Sequence, residues 1–475
     1  MTGMKVWALT VFSLGVALGA GCGQGPEETS GARASEDSLE TRHAGGQTRW
    51  VRRGVGSPGD DVLPGDVTTD RDGANIVVGT YEGSPDFGGG PLPAVAAESG
   101  ANAFIVKYAR DGRLLWSHGY GAAAGALFPD TYFEVAATDR QRNITVRGNT
   151  SHPVVLGGVT VTGFFLVQFT REGQVRWVRN LGGNYDGSPG LAVDSGDHVI
   201  LAGAVEGPAD FGGGPRTTGP VSAFLVKYTR EGTWLWDRVF ASPATAFLGG
   251  VATDEQDHLY IAGSFDEATD FGGGPLQPSA PGVETAVVAR FSPSGQHVWS
   301  RTLEDATALS RFSDIAVHGN RVVPVGRFTG RFHFGGRTFI APAVGSAGMV
   351  LALTRDGEDR WGRKLGGNVF QVRSDHEDHM TVLGVAMPGD DVGSGPLPPT
   401  SSLYAFVNKY DRVEGARDWV RTFPEETTLF SGLSVSREGE VAVTGGFRGP
   451  VDFGTGTLQP TTPDIFDPFL LRLYP

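Results

Sequence analysis

Four aspartates share one sequence pattern, an Asp-Phe pair followed by a glycine-rich turn: Asp86, Asp210, Asp270 and Asp452. A ring of such carboxylates, together with free backbone N–H groups, could hold a cation or the hydroxyl groups of a sugar. In an architectural role, the aspartate would accept local N–H bonds, the phenylalanine would fill a gap between units, and the glycines would adopt left-handed geometry. We expect the architectural role, because an element present in most units of a repeat usually belongs to the fold. The four aspartates remain the candidate binding residues.

Two other patterns suggest metal ligands. The segment from Asp70 to Asn75 resembles part of a calcium loop but lacks the later ligands. His376 and His379 are spaced like a metal pair, but His198 and His258 occupy positions equivalent to His379, each after an aspartate. We therefore interpret both patterns as turn chemistry, and we expect no metal ion and no cofactor.

The sequence contains no linear catalytic motif. It has no Gly-x-Ser-x-Gly elbow, no His-Glu-x-x-His, no P-loop and no dinucleotide fingerprint. An enzyme built from repeated units can still assemble its site from single residues of several units, which no linear motif would reveal. The formal net charge of −14 argues against nucleic acid or anionic lipid as a direct partner.

The elements that position these residues follow from a tryptophan repeat. Seven tryptophans recur roughly every 60 residues, each four residues after a glycine: Trp50, Trp116, Trp177, Trp236, Trp299, Trp361 and Trp419. Each unit contains four strand patterns, including a second strand that ends at a glycine and an apolar third strand such as Phe224 to Tyr228. Four antiparallel strands in each of seven units predict an all-β fold, a seven-bladed β-propeller.

The chain ends predict how the ring closes. The last unit stops at Pro475 after its third strand, and a surplus fourth strand lies at the other end, around Trp50. We therefore expect the N-terminal strand to complete the C-terminal blade, which removes exposed sheet edges. The propeller is predicted to span residues 46–475.

These repeats resemble the bacterial seven-bladed β-propeller repeats abbreviated SBBP. The resemblance rests on Tyr260-Ile-Ala-Gly263, Phe224-Leu-Val-Lys-Tyr228, Ser292-Pro-Ser-Gly295 and Trp299. It departs from the pattern in the fifth unit, where His318 replaces the usual aspartate of the first turn. The resemblance implies a propeller fold and an exported or surface address, and it assigns no chemistry.

The N-terminal segment has the features of an export signal. Lys5 is followed by an apolar run from Val6 to Ala20, which is too short for a comfortable membrane span. Cys22, the sole cysteine, follows this run and resembles the acylated cysteine of a bacterial lipoprotein; the alternative is an ordinary secretory peptide cleaved near Ala20. We expect a signal peptide at 1–21 and a lipid-anchored flexible tether at 22–45. We expect the protein to be an outer-membrane lipoprotein, with a secreted protein as the alternative.

These observations favour a non-enzymatic cell-envelope interaction or scaffold module. It would bind a protein or a polysaccharide through the loop face of the propeller and contact the membrane only through its lipid. The alternative is a propeller glycosidase or polysaccharide lyase with scattered carboxylates. A channel mouth lined by repeat-equivalent residues would favour binding, and a repeat-breaking cluster of His, Tyr, Arg and carboxylates would favour the enzyme.

Overall fold

The computed structural model describes residues 44–55, 61–94, 100–121, 130–181, 184–401, 403–411, 415–424 and 428–475. The chain divides into two units, Met1–His43 and Ala44–Pro475, and the described residues all belong to the second. Cys22, the predicted signal peptide and nearly all of the predicted tether lie outside the described residues. In the described part, all regular secondary structure is β-strand, and no helix there could cross a membrane.

The strands form four-stranded antiparallel sheets arranged as the blades of a seven-bladed propeller. Strand order within a blade runs outward, from the first, innermost strand to the fourth. Blade 1 consists of Val62–Thr69, Asn75–Tyr81, Asn102–Tyr108 and Leu114–Tyr120. Blade 2 consists of Thr131–Thr138, Ile144–Leu156, Val159–Phe169 and Val175–Asn180. Blade 3 consists of Asn184–Val193, Val199–Glu206, Val221–Tyr228 and Trp234–Phe240.

The remaining blades follow the same plan. Blade 4 consists of Ala246–Thr253, Leu259–Phe265, Thr285–Phe291 and His297–Thr302. Blade 5 consists of Ser310–His318, Arg321–Phe328, Ala347–Leu353 and Asp359–Gly366. Blade 6 consists of Asn368–Ser374, Met380–Ala386, Tyr404–Tyr410 and Arg417–Pro424. Blade 7 consists of Thr428–Val435, Val441–Phe447, Asp467–Leu473 and, from the other end of the chain, Thr48–Arg53.

Blade 7 confirms the predicted closure of the ring. Thr48–Arg53 pairs antiparallel with Asp467–Leu473, with Val51 opposite Leu471 and Arg53 opposite Phe469. Arg421 of blade 6 donates to the Gly46 carbonyl at 3.0 Å, so the N-terminal segment is also bound from its other side. The fourth strand of the last blade therefore comes from the start of the described chain.

The glycine near the end of each second strand has a steric cause. A β-bulge interrupts every first strand at the same place. In blade 4, a Cβ atom on Gly263 would lie 1.9 Å from the Phe247 carbonyl oxygen beside the bulge. The second strands continue two or three residues beyond this glycine, and eight residues beyond it in blade 2, so the glycine accommodates the bulge and does not end the strand as the sequence predicted.

Tryptophan and arginine side chains join several blades to the next one around the ring. The Trp177 indole N–H donates to the Arg230 carbonyl at 2.9 Å, and Arg179 donates to the Gly232 carbonyl at 3.0 Å. A Cβ on Gly232, whose φ is +77°, would lie 2.7 Å from the Trp177 ring. Equivalent indole bonds are made by Trp50, Trp116 and Trp299. The Gly-to-Trp spacing thus places one turn glycine under the tryptophan of the preceding blade.

Apolar clusters fill the interfaces between blades. The second and third strands are almost wholly buried, as in Leu259–Phe265 and Asn102–Tyr108. One cluster joins Leu225 and Phe240 of blade 3 to Ile261 and Phe291 of blade 4. Because both faces of these strands are covered, their near-continuous apolar sequence follows from burial between neighbouring blades.

Candidate functional site

The four candidate aspartates cap tight hairpins between the second and third strands. In each case one carboxylate oxygen accepts two backbone N–H bonds, from the residues two and four positions later: Asp86, Asp210, Asp270 and Asp452. For Asp210 these bonds are 2.8 Å and 3.0 Å long. Asp391 makes the same pair of bonds in blade 6. The geometry of each aspartate is thus that of a local turn cap.

The hairpins lie in the wedges between blades. Phe211 is buried against Phe224, with ring centroids 4.8 Å apart, and it shares a cluster with Leu166 of blade 2. A Cβ on Gly213 would lie 2.3 Å from the Trp234 ring at the start of the fourth strand. Four blades carry this hairpin as a two-stranded sheet: Ala209–Asp210 with Pro215–Arg216, Thr269–Asp270 with Pro275–Leu276, Arg331–Phe334 with Arg337–Ile340, and Val451–Asp452 with Thr457–Leu458.

The hairpins do not surround the channel mouth, because they pack against the outer strands to fill the space that opens where blades diverge. The structure describes each of the four aspartates in a different blade. A binding role for them stays a prediction.

The channel mouth lies instead at the turns that follow the first strands. A cavity of about 380 Å³ is lined there by residues from equivalent positions of six blades. Each of these turns begins with a cap residue, which is buried in six blades and half-buried in blade 5: Asp70, Asp139, Asp194, Asp254, His318 and Ser436 around the cavity, and Asp375 in blade 6. The residue after the cap is the most variable position of the mouth: Arg71, Arg140, Ser195, Glu255, Gly319, His376 and Arg437.

The cap aspartates are neutralised from the third strand. Lys107 lies 2.8 Å from the Asp70 carboxylate, Lys227 lies 2.6 Å from Asp194, and the equivalent Lys409 lies 3.2 Å from Asp375. Burial alone would raise the pKa of Asp194, but the hydrogen bonds from Lys227 and the backbone N–H of His198 outweigh it and hold that pKa below its ordinary value. The lysine of the aromatic-Val-Lys strand is therefore a buried counter-ion.

The suggested calcium ligands are bound by other groups. Asp70 is paired with Lys107, Asp72 with Arg142, and the Asn75 side-chain oxygen accepts from Arg472 at 2.6 Å. The histidine pattern repeats as turn chemistry, because His379 Nδ1 lies 3.0 Å from Asp375 Oδ2, as His198 Nδ1 does from Asp194 Oδ2. No group of three or more metal-ligating side chains is gathered within the described ranges.

Three of the variable mouth residues are arginines from consecutive blades. Arg437, Arg71 and Arg140 belong to blades 7, 1 and 2, and all three are exposed and line the same cavity. Glu255 on the opposite side pairs with Arg355 and accepts the Gly319 N–H. Partial burial and then the charges of Arg437 and Arg140 lower the pKa of Arg71. Sequence reasoning missed this group, although aligning the residue after each cap would have shown it.

An acidic pair lies deeper in the channel. Asp66 and Asp314 follow the bulges of blades 1 and 5, and each accepts a backbone N–H of the next blade, from Ala136 at 3.1 Å and Val372 at 3.0 Å. Arg373 lies 2.5 Å from Asp314. Burial raises the pKa of Asp66 to about 6, against the opposing charge of Arg373 and the Ala136 hydrogen bond. These carboxylates join neighbouring blades at the channel wall.

A second cavity, of about 330 Å³, lies at the joint between blades 6 and 7. Its walls include His376, Glu377, His379, Asp418 and Trp419, beside both ends of the described ring. Asp418 has no acidic counterpart before the other six repeat tryptophans. Burial raises the pKa of Asp418, while the charge of His379 lowers it to a smaller extent. This cavity is the clearest departure from the repeat.

The chain is only distantly similar to known proteins. No protein-family model matches the chain. Among curated proteins it is similar to an uncharacterized WD repeat-containing protein, L264, of Acanthamoeba polyphaga mimivirus, with 26% identity over 157 residues, which are 30% of this chain and 11% of that protein. The chain therefore matches only about a tenth of that relative's length.

Solved structures give similarly distant likenesses. The Dos1 propeller has 10% identity and a TM-score of 0.42 over 90% of this chain and 95% of that one. A protein of unknown function from Bacteroides caccae has 11% identity and a TM-score of 0.37 over 71% and 96% of the two chains. One from Dyadobacter fermentans has 12% identity and a TM-score of 0.38 over 90% and 99%.

Proposed function

We propose that the protein is a non-enzymatic binding or scaffold module that holds a protein or a polysaccharide at its channel mouth. The observation that carries this proposal is the construction of the mouth from equivalent positions of successive blades. The buried caps and strand ends repeat, whereas the exposed residue after each cap varies in type. A rigid frame that presents one variable residue per blade is suited to recognition.

We place this module in the cell envelope, as an exported lipoprotein of the outer membrane with SBBP-type repeats. The support for this address is the apolar run Val6 to Ala20 followed by Cys22, and the repeat motifs around Trp299. Acylation of Cys22 would anchor the module to the membrane through lipid alone. The folded part would then be presented at the membrane surface.

Blocking the mouth tests the proposal. Glu255→Trp places a large side chain at the cavity from an exposed turn. Glu231→Trp is its matched control, because Glu231 is also an exposed turn residue paired with an arginine, Arg230, but lies outside the cavity. Polysaccharides and proteins extracted from the producing cell's envelope are captured on immobilised full-length protein. We expect Glu255→Trp to lose capture and Glu231→Trp to retain it; equal capture by both variants would refute binding at the mouth.

The cavity at the blade 6–7 joint favours one second candidate, a glycosidase or lyase. It gathers His376, Glu377 and Asp418, and the raised pKa of Asp418 suits a general acid. Polysaccharide cleavage would be followed by release of reducing ends and by the ultraviolet absorbance of unsaturated products. Cleavage that Asp418→Asn abolishes would support this candidate over the binding module.

A further inference from the structure

The arginines at the channel mouth form a compact positively charged group. Arg437, Arg71 and Arg140 each follow the buried cap residue of one turn, in blades that are neighbours around the ring. They are far apart in the sequence, and closure of blade 7 beside blade 1 brings them to one side of the cavity. We refer to these three residues as the arginine triad.

The guanidinium groups of the triad are unpaired. None of the three makes a side-chain hydrogen bond or ion pair with any residue that the structure describes. Neighbouring arginines on the same face differ in this respect, because Arg142 pairs with Asp72 and Arg355 pairs with Glu255. The triad is therefore unusual among the arginines of its own surface.

The carboxylates beneath the triad have other partners. Asp70 is bound by Lys107 and by two backbone N–H groups of its own turn. Asp139 accepts the backbone N–H and the side-chain amide of Asn143, each at 2.7 Å. These bonds form the turns without help from the arginines. The partners of Asp139 are uncharged, so its charge, like that of Asp197, still attracts Arg71.

Grouping unpaired like charges is unfavourable unless a ligand compensates for it. Partial burial and the charges of Arg437 and Arg140 lower the pKa of Arg71, and together they outweigh the opposing charges of Asp197 and Asp139. The net charge of −14 is spread over the whole chain, and at about 0.1 M salt only charges within about 10 Å act strongly. A negatively charged group in the cavity would therefore be attracted locally.

We propose that the arginine triad binds the carboxylate, phosphate or sulfate groups of an acidic polysaccharide; this proposal rests on the proposed function and names the class of its ligand. Planar guanidinium groups bind such oxyanions through paired N–H donors. Three of them on consecutive blades can contact more than one charged group. The ligand therefore carries repeated oxyanions.

The lining of the cavity favours a saccharide over a protein surface. Thr69, Thr138 and Ser195 bring hydroxyl-bearing side chains to the mouth. A volume of about 380 Å³ is within the range of small-ligand pockets, and it accommodates a sugar unit more readily than a folded protein face. Protein interfaces usually centre on aromatic or other apolar side chains. The apolar residues that line this cavity are three valines, Val193, Val317 and Val435.

Defined polymers test the inference with full-length protein. The probes are polygalacturonate for carboxylate, dextran sulfate for sulfate, polyphosphate for phosphate, neutral dextran, and poly-glutamate as an acidic peptide. Binding is measured by titration calorimetry at two salt concentrations, for wild type, Arg71→Ala, Arg71→Lys and the triple variant R71A/R140A/R437A. The control is the double variant R113A/R337A, which removes two exposed arginines outside the cavity.

We expect binding to at least one anionic polysaccharide and none to neutral dextran. Arg71→Ala weakens binding by about tenfold, the triple variant abolishes it, and the control stays within about twofold of wild type. Arg71→Lys keeps the charge but loses the paired donors, so it restores only part of the affinity.

Several results would overturn the inference. These are failure of wild type to bind every anionic polysaccharide, equal loss in the triple variant and the control, or binding to poly-glutamate alone. If neutral dextran binds and Glu255→Trp blocks it, the mouth binds a ligand but its oxyanion specificity is wrong. If Glu255→Trp affects no ligand, the proposed function itself fails.

Discussion

Closure of the ring by Thr48–Arg53 predicts that a tryptophan near the N-terminus stabilises the fold as much as one in the middle of the chain. Trp50→Ala is the perturbation, and Trp299→Ala in blade 4 is its matched comparison. Both side chains are half-buried, and their indole N–H groups donate to the next blade, to Arg110 at 3.1 Å and Arg355 at 2.9 Å. If the first described strand is an integral part of blade 7, the two substitutions should have similar effects.

The magnitude follows from these contacts. Removing a half-buried indole costs about 2–3 kcal/mol of unfolding free energy, less than the 3–5 kcal/mol of a fully buried aromatic side chain. The lost hydrogen bond adds about 1 kcal/mol. Together these lower the melting temperature by roughly 5 °C in a domain of this size. Deleting Gln47–Arg53 removes the strand, the Trp50 bond and the 2.7 Å bond from Arg52 to the Gly112 carbonyl, so its effect should be larger.

The assay is thermal unfolding followed by circular dichroism, with equilibrium urea unfolding for the free energies. Trp50→Ala and Trp299→Ala should agree within about 1 kcal/mol. Deletion of residues 23–44 should leave the transition almost unchanged. A negligible effect of Trp50→Ala beside a large effect of Trp299→Ala would refute closure by the N-terminal strand, whether or not the deletion variant folds.

Three further predictions concern individual side chains. Asp→Ala at each hairpin cap should lower the unfolding free energy by about 0.5–2 kcal/mol, with additive effects, at Asp86, Asp210, Asp270 and Asp452. Calcium or a chelator should not shift the melting temperature of the wild type. A calcium-dependent shift that the variants lose would instead indicate a cation site. Burial raises the pKa of Asp66 to about 6, so the stability from this group is present below pH 4 and is lost as pH rises through 6. Urea unfolding should therefore show the free energy of unfolding of Asp66→Asn rising, relative to wild type, by up to about 3 kcal/mol between pH 4 and pH 8. A difference between the two proteins that does not change with pH would contradict this. Cys22→Ser should move the protein from the membrane fraction to the soluble fraction, because the lipid cannot attach, and wild type already in the soluble fraction would favour the secretory alternative.

The sequence predicts the ring because its strongest signals come from contacts that repeat in every blade. The turn glycine lies under a tryptophan of the preceding blade, and the second-strand glycine faces a bulge, as at Gly232 and Gly263. Such steric requirements leave an invariant residue at a fixed period. The strand count, the number of blades and the closing strand could therefore be predicted.

The proposed binding surface leaves no such periodic signal in the sequence. Arg71, Arg140 and Arg437 occupy a position that varies from blade to blade, and only the closure of blade 7 on blade 1 makes them neighbours. The lysine partners of the caps come from a different strand, as Lys107 does for Asp70. The hairpin aspartates are easy to find in the sequence because their motif repeats. The motif repeats because each hairpin fills the space between two blades.

The most direct test of binding at the mouth is site-specific photo-crosslinking in the producing cells. A photoreactive phenylalanine analogue replaces Val193 or Val435, which line the cavity, or Thr455, at the exposed tip of a hairpin in blade 7. After irradiation, adducts on the full-length protein are detected by mass shift. We expect adducts from the two mouth positions and none from Thr455. Adducts from Thr455 with none from Val193 or Val435 would contradict the account and return the binding site to the hairpins.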